Sequence, residues 1–122
     1  MIEEKLIRLV DLVLSEQMRP ARAIVMELLH DARLGKLTLR DVSRPELNDK
    51  DKLALYAALI EHIATQAKQD PPDWTKDIGA VAAPIYLVKF GLDRMKAIYE
   101  AESPEPLRRR RFYAPSGYLV PI

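Results

Sequence analysis

A chain of 122 residues, 48% apolar and 30% charged, has the balance of an ordinary globular protein. Dividing it would leave each part too little buried surface, so one core over residues 1–122 is expected. A formal net charge of +1, from 19 Lys and Arg against 18 Asp and Glu, provides no global pull toward nucleic acid or an anionic membrane. The lack of cysteine excludes disulfides, thiol nucleophiles and thiolate metal sites together, and fits a reducing compartment, with the cytoplasm as default.

The start of the chain carries Glu3-Glu4 where a secretory signal needs basic residues, so no export signal is expected. No apolar run reaches the roughly 20 residues that span a bilayer. From Ile2 to Gln17, Leu6, Val10, Val13 and Leu14 recur at helical spacing, with Ile7 and Leu9 beside them, which predicts a helix with one wide apolar face. Arg19-Pro20 interrupts it, and Pro20 suits the first turn of a second helix that runs to Leu34 and ends at Gly35. Leu37 to Val42 reads as a short strand or a connector, and a connector is favoured.

Asn48 is the expected cap of the clearest helix, with Asp49 and Asp51 at its positive end. That helix runs to about Lys68 and is expected to be central, since Leu53, Ala57, Ile60 and Ala64 share one face that Leu55, Tyr56, Leu59 and Ile63 widen. Asp70-Pro71-Pro72-Asp73-Trp74 forms a stiff turn, a joint over residues 69–75. Asp77 to Leu92 mixes Gly, Ala and Pro with large apolar residues and reads as a buried, irregular segment, with Trp74 to Phe90 packed across the central helix. Leu92 to Ala101 predicts a further helix, and Ser103-Pro104-Glu105 has the cap, proline and acid order of a short last helix through Arg110. The tail from Phe112 to Ile122 reads as irregular. The fold class is therefore all-α: a small domain of about five helices with one irregular Pro- and Gly-containing segment.

Little in this pattern points to catalysis. Two histidines, His30 and His62, lie on different helices and leave little with which to hold a metal, so neither a metal site nor a cofactor is expected. The four glycines form no nucleophile elbow, P-loop or dinucleotide fingerprint. The serines fall at caps and turns, and the acidic pairs Glu3-Glu4 and Asp49 with Asp51 fall at helix starts, where exposed amides stabilise them. Arg22 to Val42 echoes a helix-turn-helix, but Pro45 stops its second element too early for a recognition helix.

The conspicuous charge feature is Arg108-Arg109-Arg110-Arg111 followed by Phe112-Tyr113. Such a basic run with aromatics suits nucleic acid. With a net charge near zero and no companion basic stretch, it better suits a helix end whose guanidinia pair with Glu102 and Glu105 while their alkyl stems cover apolar surface. Trp74 is either a partner contact or, more commonly for a lone Trp after a Pro-Pro turn, a core anchor.

Residues 56–119 carry Leu59-Ile60-Glu61-His62-Ile63-Ala64, Pro72-Asp73-Trp74-Thr75-Lys76-Asp77, Pro84 and Tyr86, Glu102-Ser103-Pro104 with Leu107-Arg108-Arg109-Arg110, and then Phe112 and Leu119. This order resembles the C-terminal domain of a group of bacterial, antitoxin-like regulator proteins. The resemblance implies a non-enzymatic module that binds a protein partner encoded by the adjacent gene, with Trp74, Arg108, Arg109, Arg110, Arg111 and Tyr113 as candidate contacts. Regulators of that group carry a separate DNA-binding domain ahead of this segment, for which residues 1–45 have no room. The expected function is thus protein binding, with a homodimer through the N-terminal apolar face as a further expectation. A small nucleic-acid binder using Arg108 to Arg111 is the alternative.

Overall fold

In the computed structural model, which describes residues 2–119, the order is α1 (Ile2–Leu14), α2 (Met18–Arg33), α3 (Lys50–Ala67), β1 (Ile85–Tyr86), α4 (Leu92–Glu102), α5 (Glu105–Arg108) and β2 (Phe112–Tyr113). The fold is all-α, as its periodicities predict. The connector after α2 contains a single 3-10 turn, Leu39–Asp41, and the Trp74 turn contains another, Asp73–Asp77.

α3 is the axis. Every residue from Ala54 to Ala64 is buried, because α1, α2 and α5 all pack against it. One apolar cluster runs from Leu6 to Leu119. α1 gives it Leu6, Leu9, Val10, Leu12 and Val13, and α2 gives Val25, Leu28 and Leu29. Each such large aliphatic side chain stabilises the fold by about 1.5–3 kcal/mol when fully buried. The α1 face expected to form a homodimer is therefore occupied inside the chain.

Three helix ends share one device. Gln17 N donates to Leu12 O and Glu16 N to Val13 O, with Glu16 at φ 59°. The same pair of bonds closes α2 around Gly35 and α3 around Lys68, at φ 77° and 58°. A left-handed residue at this position turns the last carbonyls back onto the chain, which is why α1 stops at Leu14 rather than at Gln17.

Several sequence expectations shift. The cap of α3 is Asp49, not Asn48: its carboxylate accepts from Asp51 N at 2.9 Å and Lys52 N at 3.0 Å. Ser103 does not cap α5. It is buried, and its hydroxyl accepts from Ala114 N at 2.8 Å while donating to Tyr99 O, so it ties the end of α4 to the chain beyond β2. α5 is a single turn that ends at Arg108, two residues short of the expected reach. The 77–92 segment is not wholly irregular, since β1 pairs in parallel with β2 in the register Ile85 to Phe112 and Tyr86 to Tyr113. Phe90, expected to be buried, is 93% exposed. The tail joins the core through Phe112, Ala114, Tyr118 and Leu119, and Arg22 Nε donates to Tyr118 O at 3.1 Å.

Candidate partner-binding site

The four arginines are adjacent in sequence but separate in space, because the chain leaves α5 at Arg109 and reverses through Arg111 at φ 70°. Arg108 is exposed and donates to Ala101 O at 3.0 Å. Arg109 keeps 47% of its side chain exposed and reaches Glu61 on one side, with Glu105 at 3.9 Å on the other. Arg110 is only 2% exposed. Arg111 is half-buried and donates to Ala82 O at 2.7 Å.

Arg110 uses all five of its N–H donors. Two go to the two oxygens of Glu61, the second at 3.0 Å. The others reach Thr75 O at 2.8 Å, Ile78 O at 3.2 Å and Pro106 O at 3.3 Å. One guanidinium thus ties α3, the Trp74 turn, the segment after it and α5. Burial pushes the Glu61 carboxyl up, but the hydrogen bonds and positive charges around it, those of Arg110 first, outweigh burial and hold it below its ordinary 4.5. Glu61 was the partner that the sequence reading missed. Its signal was an acid in the middle of eleven residues otherwise fit for a core, which calls for a buried cation.

Trp74 is half-buried. Its Nε1 donates to Val42 O at 2.8 Å and its ring lies 5.9 Å from that of Tyr56. Both contacts face inward, which makes it an anchor under the Pro-Pro turn.

Tyr113 lies elsewhere. The β1–β2 register sets it beside Tyr86, ring centroids 5.3 Å apart, and both rings are half-exposed. The Tyr86 hydroxyl donates to Glu100 Oε2 at 2.5 Å, and this bond is the main reason that the phenol is pushed up to about 12. Lys96 Nζ lies 5.4 Å from the center of the Tyr86 ring, a cation over an aromatic face. α4 brings both Lys96 and Glu100 and gives the core only Tyr99, leaving Ile98 43% exposed. Two tyrosines, a lysine and the neighbouring Arg111 thus gather beside a helix with an incompletely covered apolar side. Tyr86 and Lys96 were not singled out as contacts in the sequence, because a two-residue ladder gives no periodic signal.

The described residues contain no group of three side chains arranged to hold a metal, and no helix is long and apolar enough to cross a membrane. His62 is buried, with its pKa lowered by burial, and His30 is exposed. No family model, curated protein or solved structure matches this chain, so its fold and this surface are what characterise it.

Proposed function

We propose that this chain is a non-enzymatic, antitoxin-like interaction module of the cytoplasm that binds a protein partner through the surface made by Tyr86, Tyr113, Arg111 and Lys96. The observation that carries this reading is the half-exposed Tyr86–Tyr113 pair. Tyrosine and arginine are enriched where interfaces concentrate their energy, since they offer large contact area together with polar groups that fix orientation. A rigid backbone supports the pair: Ile85 N donates to Arg111 O and Leu87 N to Tyr113 O, each at 2.9 Å. Phe90 and Ile98 add exposed apolar area on or next to α4. Exposed apolar patches on a folded chain commonly mark contact sites.

The alternative, nucleic-acid binding by Arg108 to Arg111, has less support. All five donors of Arg110 are engaged inside the chain, and Arg109 and Arg111 are partly engaged. The partner suggested by the resemblance is the product of the adjacent gene. Co-expressing the two proteins and weighing the purified complex by light scattering tests the reading. A stoichiometric complex lost in Tyr86→Ser/Tyr113→Ser supports it. A neighbour that is harmless when expressed alone and forms no complex overturns the antitoxin-like form, and recovery of a homodimer alone makes a second copy the partner.

A further inference from the structure

A groove of about 380 Å³ opens between the first turns of α3 and the segment that follows the Trp74 turn. Leu53, Ala54, Ile78 and Val81 supply its apolar surface, and Lys50, Asp51 and Asp77 stand in its lining. The volume is that of a ligand pocket. Two further observations narrow the ligand. First, the backbone here is extended at Ile78, φ −95° and ψ 112°, and the amides of Gly79 and Ala80 donate to no acceptor among the described residues. Second, neither Asp51 nor Asp77 forms an ion pair among the described residues, so the two carboxylates outnumber the single ammonium of Lys50.

We propose that this groove binds an extended peptide segment carrying an aliphatic residue next to a basic one. The aliphatic side chain sits on Leu53, Ala54, Ile78 and Val81, the basic side chain pairs with Asp51 or Asp77, and a peptide carbonyl accepts from the amide of Gly79 or Ala80, since neighbouring amides of an extended chain face opposite ways. Main-chain bonds to an extended segment supply affinity in this kind of recognition, and the side-chain pocket supplies selectivity. The groove is lined by none of the residues of the Tyr86–Tyr113 surface, and it is tested separately.

Gly79 provides a clean variant. Its backbone is not left-handed, and a Cβ there meets open space, so Gly79→Leu adds bulk at a residue that lines the groove without strain. The probe is a blocked pentapeptide of sequence GKLKG, titrated into the ¹⁵N-labelled full chain, with GELEG as control. Saturable shifts confined to the amides of Gly79, Ala80 and neighbouring groove residues are expected with GKLKG. Gly79→Leu should abolish them. Asp77→Asn should weaken binding roughly two- to fivefold, the effect of one exposed charge pair. Equal response to the two peptides, shifts that persist in Gly79→Leu, or no saturable shift in the groove would each overturn the proposal, whatever the result for the Tyr86–Tyr113 surface.

Discussion

Replacing Glu61 by alanine leaves the Arg110 guanidinium, 2% exposed and fixed by three backbone carbonyls, without the carboxylate that neutralises it. Removing one partner of a buried ion pair costs about 3–5 kcal/mol, because the remaining charge stays desolvated. For a chain of this size that is a fall in Tm of about 10–20 °C, out of a total stability of about 5–15 kcal/mol. Arg109 supplies the internal control. It touches the same carboxylate but is 47% exposed, so Arg109→Ala should cost under about 1 kcal/mol. The double variant Glu61→Leu/Arg110→Met removes both charges and should recover part of the Glu61→Ala loss, the remainder being the cost, about 1–3 kcal/mol, of leaving carbonyls that Arg110 serves without a donor. Urea denaturation followed by Trp74 fluorescence measures all three. A loss below about 1 kcal/mol for Glu61→Ala, or equal losses for Arg109→Ala and Glu61→Ala, would refute the reading of Arg110 as the tie between α3 and the C-terminal segments.

Other substitutions probe separate features. Lys68→Gly relieves a left-handed lysine at the end of α3 and should raise stability by about 0.5–1 kcal/mol, after allowing for the greater freedom of glycine in the unfolded chain; thermal melting checks the sign. Trp74→Phe loses the 2.8 Å bond to Val42 O and leaves that carbonyl unserved, for an expected cost of about 1–3 kcal/mol, measured by urea denaturation followed by circular dichroism because Trp74 is the single tryptophan. The pKa of His62 is lowered from 6.5 by burial, so the unfolded chain takes up its proton first. Stability is then full above about pH 6.5 and falls on acidification at up to about 1.4 kcal/mol per pH unit, until the folded-state pKa is reached. Glu61, also lowered, adds its own loss only below about 4.5, as pH falls through its folded pKa. His62→Gln should flatten the first window and leave the second; an unchanged profile between pH 6.5 and 5 would show that another group controls it.

The helices were legible because their apolar spacing is long and regular. α1, α2 and α3 each repeat a core stripe over three or more turns, and Pro20, Gly35 and Pro71 mark their limits. Glu16 hid the end of α1, since this residue type does not announce a left-handed turn, whereas the end of α3 near Lys68 was legible from Pro71 just beyond it. The pairing of β1 with β2 was illegible for a different reason: four residues separated by two helices give no period and depend on Ser103 and Arg110 to bring the chains together. For the candidate site, Arg108 to Arg111 stood out as charge, but their divergence follows from the reversal at Arg111, which sequence spacing does not encode. Trp74 was readable as an anchor from its place after Pro71-Pro72. Phe90 was not readable as exposed, because its apolar neighbours Leu87 and Val88 go inward while the chain turns out at Gly91.

Partner binding by the Tyr86–Tyr113 surface, as proposed, is checked by calorimetric titration of the full chain with the product of the adjacent gene. The wild type should form a stoichiometric complex, and Tyr86→Ser/Tyr113→Ser, with its fold verified by Trp74 fluorescence, should bind at least about 30-fold more weakly, the effect of one interface hot spot. Equal affinity of the wild type and the folded double variant would contradict the assignment of this surface, and no binding by the wild type would contradict the partner.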